Sequence, residues 1–444
     1  MKKETYIAAL EISSSKVIGA VGIIGSSGQI HIIAAEQEKY TDTVRYGQVQ
    51  NTEETYELTN YVLERLERRP DISPREISGV YAGISGRSLR SIPVDVSLSL
   101  PDDTEISENI VERLKKEALE TEIDNSLEII DAVPRIFHIG KTDTHRPIGS
   151  IANGISATYD LIVARPALQN NLRRVIADKL GLELKGTVVT PLATGAIALT
   201  EQEKKLGCML VDMGAETTTV TIYTRGNLAY FATLPLGGRN ITRDLTSLNE
   251  LEEKAEELKL SVGNAIAPLT PSQVQVGRHK QSDISNLVVA RSEEIAANIV
   301  EQIHYAGLSE KDIPEGIVLC GGAARLNGMV ELLVKFSGLK VRMASLPSFI
   351  HIEDARTQGL EMLQIAAIIH AASQKNASDC LMIPEPETPD DVHDTQPATH
   401  VAPEPSAASG ETKQKKPSFF SRIGSTFGKM FTPIGDDDEG EELN

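Results

Sequence analysis

Two turns in this 444-residue chain carry the residue types that hold phosphate. The first to stand out is Asp212-x-Gly214-Ala215-Glu216-Thr217-Thr218-Thr219, between a short apolar strand, Met209–Val211, and a β-branched run through Val220 and Ile222. A tight turn of small and hydroxyl residues aims backbone amides and hydroxyls at one spot, an arrangement that suits phosphate oxygens. The carboxylate at its mouth suits Mg²⁺ held through water. The same pattern occurs near the start of the chain, where Glu11-Ile-Ser13-Ser14-Ser15-Lys16 separates the expected strands Thr5–Leu10 and Val17–Ile24. One such hairpin is usually a structural turn. Two of them, opening two halves of one chain, read as a clamp on a polyphosphate. A third turn, Cys320-Gly321-Gly322-Ala323-Ala324-Arg325, follows the apolar strand Gly316–Leu319 and lets backbone lie against a nucleoside. Glu256 and Lys259 stand three apart on a charged helix, Glu250–Leu260, so both project from one face.

The elements around these turns read as α/β. A helix is expected at Thr52–Arg69, with Leu58, Tyr61, Val62 and Leu66 at helical spacing, followed by a strand at Ile77–Ile84. From 85 to 165 the texture changes to alternating strands (Val94–Leu100, Leu127–Ile139, Gly154–Ala164) around a helix at Ser107–Thr121, the pattern of an inserted subdomain. A helix at Pro166–Leu180 and a strand at Gly186–Thr190 lead into the small-residue helix Pro191-Leu-Ala-Thr-Gly-Ala-Ile-Ala-Leu. Residues 261–290 mix Pro, Ser, Gln and Val and read as a small β-containing lobe, with an amphipathic helix at Ser292–Ala306. Helices at Gly328–Phe336 and Gly359–Ala372 close the folded part, and order is expected to end past Ser373.

Composition narrows the function. The length exceeds one ordinary core. A net charge of -19 argues against a nucleic-acid partner, because nothing offsets phosphate repulsion globally. Cys208, Cys320 and Cys380 show no zinc spacing and read as free thiols of a reducing compartment. Neither a signal peptide nor an apolar run of about 18 residues is present, so no membrane span is expected.

The C-terminal end is different again. Residues 376–417 hold seven prolines among Asp, Glu, Thr, Ser and Ala, which predicts a disordered linker (375–412). Beyond it, at about 100° per residue, Phe419, Phe420, Ile423, Phe427, Met430 and Phe431 fall within roughly 120° of a helix, with Arg422 and Lys429 opposite. No fold surrounds this stripe to bury it, and Lys413, Lys415 and Lys416 precede it. A membrane-surface helix over 413–435 is the expectation, followed by an acidic tail at 436–444. Each large apolar side chain contributes at most about 1.5–3 kcal/mol, against about 1–2 kcal/mol per residue for ordering the segment. One copy therefore binds reversibly, and many copies along a polymer bind by avidity.

In combination these motifs resemble the actin/Hsp70/sugar-kinase ATPase superfamily, and within it the FtsA family of bacterial cell-division proteins. The motifs that carry it are the insert at 85–165, Pro191–Ala198, Leu236-Gly-Gly-x-x-Ile-Thr-x-Asp244, Ala255-Glu256-Glu-Leu-Lys259 with Gly263, Ile317–Arg325 and the Phe/Lys/Arg C-terminus. The resemblance implies a two-domain actin-like fold around an interdomain nucleotide cleft. Its subdomains would be 1–84 with 166–190 and 356–374, 85–165, 191–240 with 310–355, and 241–309. It implies ATP and Mg²⁺ as cofactors. Ser13, Ser14, Ser15, Lys16, Gly214, Ala215, Thr217 and Thr218 match the phosphate turns, and Glu11 and Asp212 the metal-side carboxylates. Glu256 and Lys259 match the nucleoside contacts, Gly321, Gly322 and Ala323 the adenosine turn, and Gly238 is a further cofactor-binding position. The implied partners are FtsZ, copies of the chain itself in a filament, other divisome proteins and anionic inner-membrane lipid, at the septum.

Departures from the family pattern are Glu11 for Asp, Ser13 for Gly, Ala215 and Glu216 for two glycines, and Thr219 for Asp. Glu216 sets an anion where phosphate should lie unless it turns outward or meets the metal, and non-Gly residues strain any turn that needs positive φ. Weakened or altered nucleotide binding and slow or absent hydrolysis follow as expectations. The residues leave three alternatives open: a sugar-kinase-like phosphotransferase, a pilus-assembly relative, and a membrane scaffold with a degenerate site.

Overall fold

The computed structural model describes residues 5–25, 28–266, 274–353, 362–375 and 378–384. The linker from 385 onward, the helix expected at 413–435 and the acidic tail lie outside the described residues.

β-Branched and small apolar residues build two sheets. The first has six strands in the order Glu183–Val189, Gly79–Ile84, Tyr6–Ile12, Lys16–Ile24, Ile30–Lys39, Ile350–Ile352. The second has nine: Thr142–Thr144, Glu128–Ile139, Ile151–Ala164, Arg90–Glu105, Asn227–Leu234, Thr218–Thr224, Cys208–Met213, Ile317–Cys320, Val341–Met343. The two phosphate-type hairpins occupy matching places. In the first sheet Glu11 pairs antiparallel with Ile18 and parallel with Gly83. In the second Asp212 pairs antiparallel with Thr219 and parallel with Cys320. Each carboxylate is thus the second-to-last residue of its strand.

Two helices join the sheets. Thr190–Ala198 packs beside Leu363–Ser373, which also lies on Tyr6–Ile12. Close approach explains the small residues of Thr190–Ala198, since a Cβ on Gly195 would stand 2.7 Å from the Tyr223 hydroxyl. Leu363–Ser373 is buried almost throughout, as expected of a helix lying between two layers. Outside the first sheet, Thr52–Glu67 buries Val62, Leu63 and Leu66, and its N-terminus is capped by the Asn51 side chain on the amides of Glu53 and Glu54. A separate core under the second sheet gathers Val211, Ile222, Ile284, Ile295, Ile299 and Leu333.

The insert has its own core. Ile110, Leu114 and Ala118 of Glu108–Leu119 pack on Ala132, Phe137, Tyr159 and Leu161. Its four strands are continuous with the rest of the second sheet through the pairing of Arg90 with Ala232. Arg135 reinforces the joint by donating to both oxygens of the fully buried Asp160 and, at 3.1 Å, to the Ala229 carbonyl.

Four expectations are corrected. Residues 281–291 are the first turns of one 25-residue helix, Gln281–Tyr305, and the strands of that region among the described residues are Gln275–Val276 and His279–Lys280. Ile284, Val288, Ile295, Ile299 and Ile303 form one buried stripe that intervening polar residues concealed. Pro166–Leu180 is not one regular α-helix, since Ala167–Arg173 runs into a π-helical stretch, Arg174–Lys179. The chain returns to the first sheet at Ile350–Ile352, pairing with Ile30–Ile32, ahead of the expected 356. Order does not end past Ser373 either. Leu381–Met382 pairs with Glu76–Ile77 and Cys380 is fully buried, because the short apolar run Cys380–Ile383 interrupts the Pro-rich composition.

Candidate functional site

One cavity of about 610 Å³ lies between the two hairpin turns, within the range of small-molecule and cofactor sites. Glu11, Ser13, Ser14, Ser15 and Lys16 line one side, and Asp212, Gly214, Ala215, Thr217 and Thr219 another. Gly238, Glu256, Lys259, Gly321, Gly322 and Ala323 complete the wall. Among the predicted residues Thr218 is the exception: it is buried, and its hydroxyl donates to the Leu236 carbonyl at 2.8 Å. Strand alternation turns it to the opposite face from Thr217 and Thr219.

The first turn closes on itself. Ser13 uses both its amide and its hydroxyl on the Lys16 carbonyl, each at 3.0 Å, so its hydroxyl is spent within the turn. Ser14 accepts the Gly47 amide at 2.8 Å, which leaves its own O–H to donate. Tyr40 braces the turn by donating to the Ser13 carbonyl. The second turn is held by Gly214 N–H to the Thr217 carbonyl at 2.8 Å, and from outside by the Gly238 and Arg239 amides on the carbonyls of Gly214 and Ala215. None of residues 213–217 has positive φ, so Ala215 and Glu216 sit there without backbone strain. Glu216 does not occupy the phosphate side. It is turned away from the cavity and buried among Arg45, Arg239 and Arg243.

Burial shapes the two carboxylates. It pushes Glu11 up to about 7, with Lys16 pulling the other way and the nearby Asp212 adding to the rise. It pushes Asp212 up to about 6, against hydrogen bonds with Gln364 and Cys320 and the charge of Lys16. Gln364 Nε2 donates to Asp212 Oδ1 at 3.1 Å from the helix Leu363–Ser373, so that helix orients the carboxylate across the cleft. Two desolvated acids facing one cavity leave it short of positive charge, which a divalent cation could supply. Among the described residues no group of three acidic, His or Cys side chains converges; one or two carboxylates are the protein ligands that a largely hydrated Mg²⁺ takes.

At the other end, Lys259 Nζ donates to Glu256 at 2.6 Å, to the Thr242 hydroxyl at 2.9 Å and to the Gly238 carbonyl at 3.1 Å. Thr242 also donates to Glu256. Burial depresses the Lys259 ammonium, with Glu256 opposing the shift. Gly321 has φ +89°, and a Cβ there would lie 2.3 Å from the Met213 carbonyl and 2.6 Å from Asp212 Oδ1. Only glycine lets the third turn approach the second hairpin. Sequence reasoning missed Tyr40, Gln364 and Arg239, all of which line the cavity. Gln364 had a signal, being a polar residue in the run Leu-Gln-Ile-Ala-Ala-Ile-Ile.

A family model described as Cell division protein FtsA matches residues 209–358, and one described as SHS2 domain inserted in FTSA matches 86–163. Those spans contain the second hairpin with its third turn, and the insert. The chain belongs to the FtsA family. The Cell division protein FtsA of Porphyromonas gingivalis is 29% identical over 77% of this chain and 74% of its own. FtsA of Streptococcus pneumoniae serotype 2 is 26% identical over 97% of this chain and its full length. A solved PilM-PilN type IV pilus biogenesis complex has a chain of similar fold, with a TM-score of 0.60 at 16% identity over 83% of this chain and 98% of that one. The fold is therefore that of the actin-like superfamily, and the insert is the FtsA-type domain rather than an elaboration peculiar to this chain.

Proposed function

We propose that this FtsA-family protein binds ATP with Mg²⁺ in the cleft, assembles into actin-like filaments and tethers the FtsZ ring to the cytoplasmic face of the inner membrane. The observation that carries the nucleotide reading is the pairing of two matched strand-end carboxylates and their turns around a single cavity. Ser14, Ser15, Lys16, Gly214, Ala215 and Thr217 would hold the phosphates. Glu11 and Asp212 would hold Mg²⁺ through its water, and the ion would supply the positive charge that the two partly buried acids lack. Glu256 and Lys259, already locked to Thr242, would present a fixed edge to the sugar. Gly238, Gly321, Gly322 and Ala323 would leave room for the base.

Membrane attachment is assigned to 413–435, and recruitment of FtsZ to the septal membrane to the lobe at 241–309 as the family resemblance implies. Self-assembly multiplies a weak tether, so polymer and membrane binding depend on each other. Among the described residues no helix is long and apolar enough to cross a membrane. The decisive experiment pairs equilibrium ATP binding, with and without Mg²⁺, with liposome pelleting of the full chain. Saturable Mg²⁺-dependent binding is expected. Its absence leaves a scaffold with a degenerate site, and turnover of a small hydroxyl acceptor would instead favour a phosphotransferase.

A further inference from the structure

Glu216 is 1% exposed, in a turn where the family pattern has glycine. Its carboxylate meets four groups. Arg243 Nη2 donates at 2.7 Å, and the Tyr46 amide donates to Oε2 at 2.7 Å. Arg45 Nε and Arg239 Nη1 lie 2.9 and 3.3 Å away as ion-pair contacts. Arg239 and Arg243 belong to Gly238–Leu245, which follows the second sheet's hairpins. Arg45 and Tyr46 come from the other lobe, in the hairpin of Val44–Arg45 with Gln48–Val49 that leads into the helix Thr52–Glu67.

The tip of that hairpin is unusual. Tyr46 and Gly47 have φ +51° and +78°, the two-residue turn that favours Asn-Gly, so a tyrosine at the first position is held against its preference. Gly47 is required, because a Cβ would meet the Ser85 carbonyl at 2.4 Å. Its amide donates to Ser14 Oγ at 2.8 Å, while the preceding amide donates to Glu216. Two successive amides of one tip therefore reach the turns of both hairpins. Arg87 lies 4.9 Å from the Tyr46 ring centroid and packs the tip from the first lobe.

We propose that Glu216 and the Tyr46–Gly47 tip form a latch that ties the two lobes together at the phosphate turns, and that nucleotide leaves the cleft only after the latch parts. The second half rests on the nucleotide reading above; the first half stands on the contacts alone. Opening the cleft separates Tyr46 and Arg45 from a carboxylate that then remains with Arg239 and Arg243, so the charge is never left unpaired. That makes parting reversible rather than destructive.

The test uses the full chain, its Glu216→Gln variant and, as a second disruption that keeps the carboxylate, Arg45→Gln, which removes the cation reaching it from the other lobe. Amide hydrogen exchange at Tyr46 and Gly47 without nucleotide reads the latch, and displacement of a fluorescent ATP analogue reads its consequence. Both variants are expected to speed tip exchange and analogue release, roughly ten- to hundredfold for the loss of a charge-assisted bond. Unchanged tip exchange in both folded variants overturns the latch. Faster tip exchange with unchanged release overturns the gating. A chain that binds no analogue at all sinks the nucleotide reading and the gating with it, while tip exchange still decides whether the latch exists.

Discussion

At the scale of single residues, the chemistry turns on carboxylates placed where water is scarce. The folded chain holds a proton on Glu11 up to about pH 7, whereas an unfolded chain releases it near 4.5. Between those values the folded state binds more protons, so stability falls as pH rises through that window and the loss is complete above it. In metal-free buffer the melting temperature should decline from pH 5 to pH 8, and Glu11→Gln should flatten that decline. An identical slope in the variant would show that other groups dominate. Shortening the same side chain bears on turnover: Glu11→Asp should raise phosphate release from ATP if the extra methylene misplaces the metal's water shell, and an unchanged rate would shift the blame to the second hairpin. Gly321→Ala should cost at least about 2 kcal/mol, from positive φ and a blocked approach to Met213. Thermal unfolding checks it, and a variant as stable as the parent would mean that the third turn relaxes without cost.

At the scale of elements, most boundaries were legible and the misreadings share a cause. Strands came out of β-branched runs and helices out of 3.6-residue spacing, as at Thr52–Glu67, whose Asn51 cap is local chemistry. The helix Gln281–Tyr305 was cut short because Gln281, Ser282, Asp283, Ser285 and Asn286 hide its stripe, and only packing against the second core reveals which face is buried. Glu216 illustrates the limit at the site: its position was visible, but whether it faced phosphate depended on Arg45, which lies 171 positions earlier. The insert offers its own measurement. Arg135→Met leaves the buried Asp160 without its cation, and breaking such a pair costs about 3–5 kcal/mol. Unfolding of the insert at lower denaturant, read by hydrogen exchange over Ile151–Ala164, is the expected outcome. Unchanged protection there would show that the Arg90–Ala232 joint suffices without the ion pair.

For the whole molecule, the function proposed above requires the cleft and the segment 413–435 to act together. Deleting 413–435, or Phe427→Glu, should release the protein from anionic liposomes with ATP binding intact, measured by pelleting. Undiminished pelleting of both would remove the membrane assignment. What the chain's order of residues determined alone was what depends on near neighbours: the two acid-bearing turns, the apolar periodicities of the folded part and the insert with its change of texture. These follow from backbone geometry and local polarity, which act over a few residues. Only the tertiary structure decided that Glu11 and Asp212 face one cavity, that Gln364 steers one of them, that Thr218 looks away and that Glu216 holds arginines. Those outcomes come from contacts between residues far apart in the chain, which folding selects chiefly by burying apolar surface.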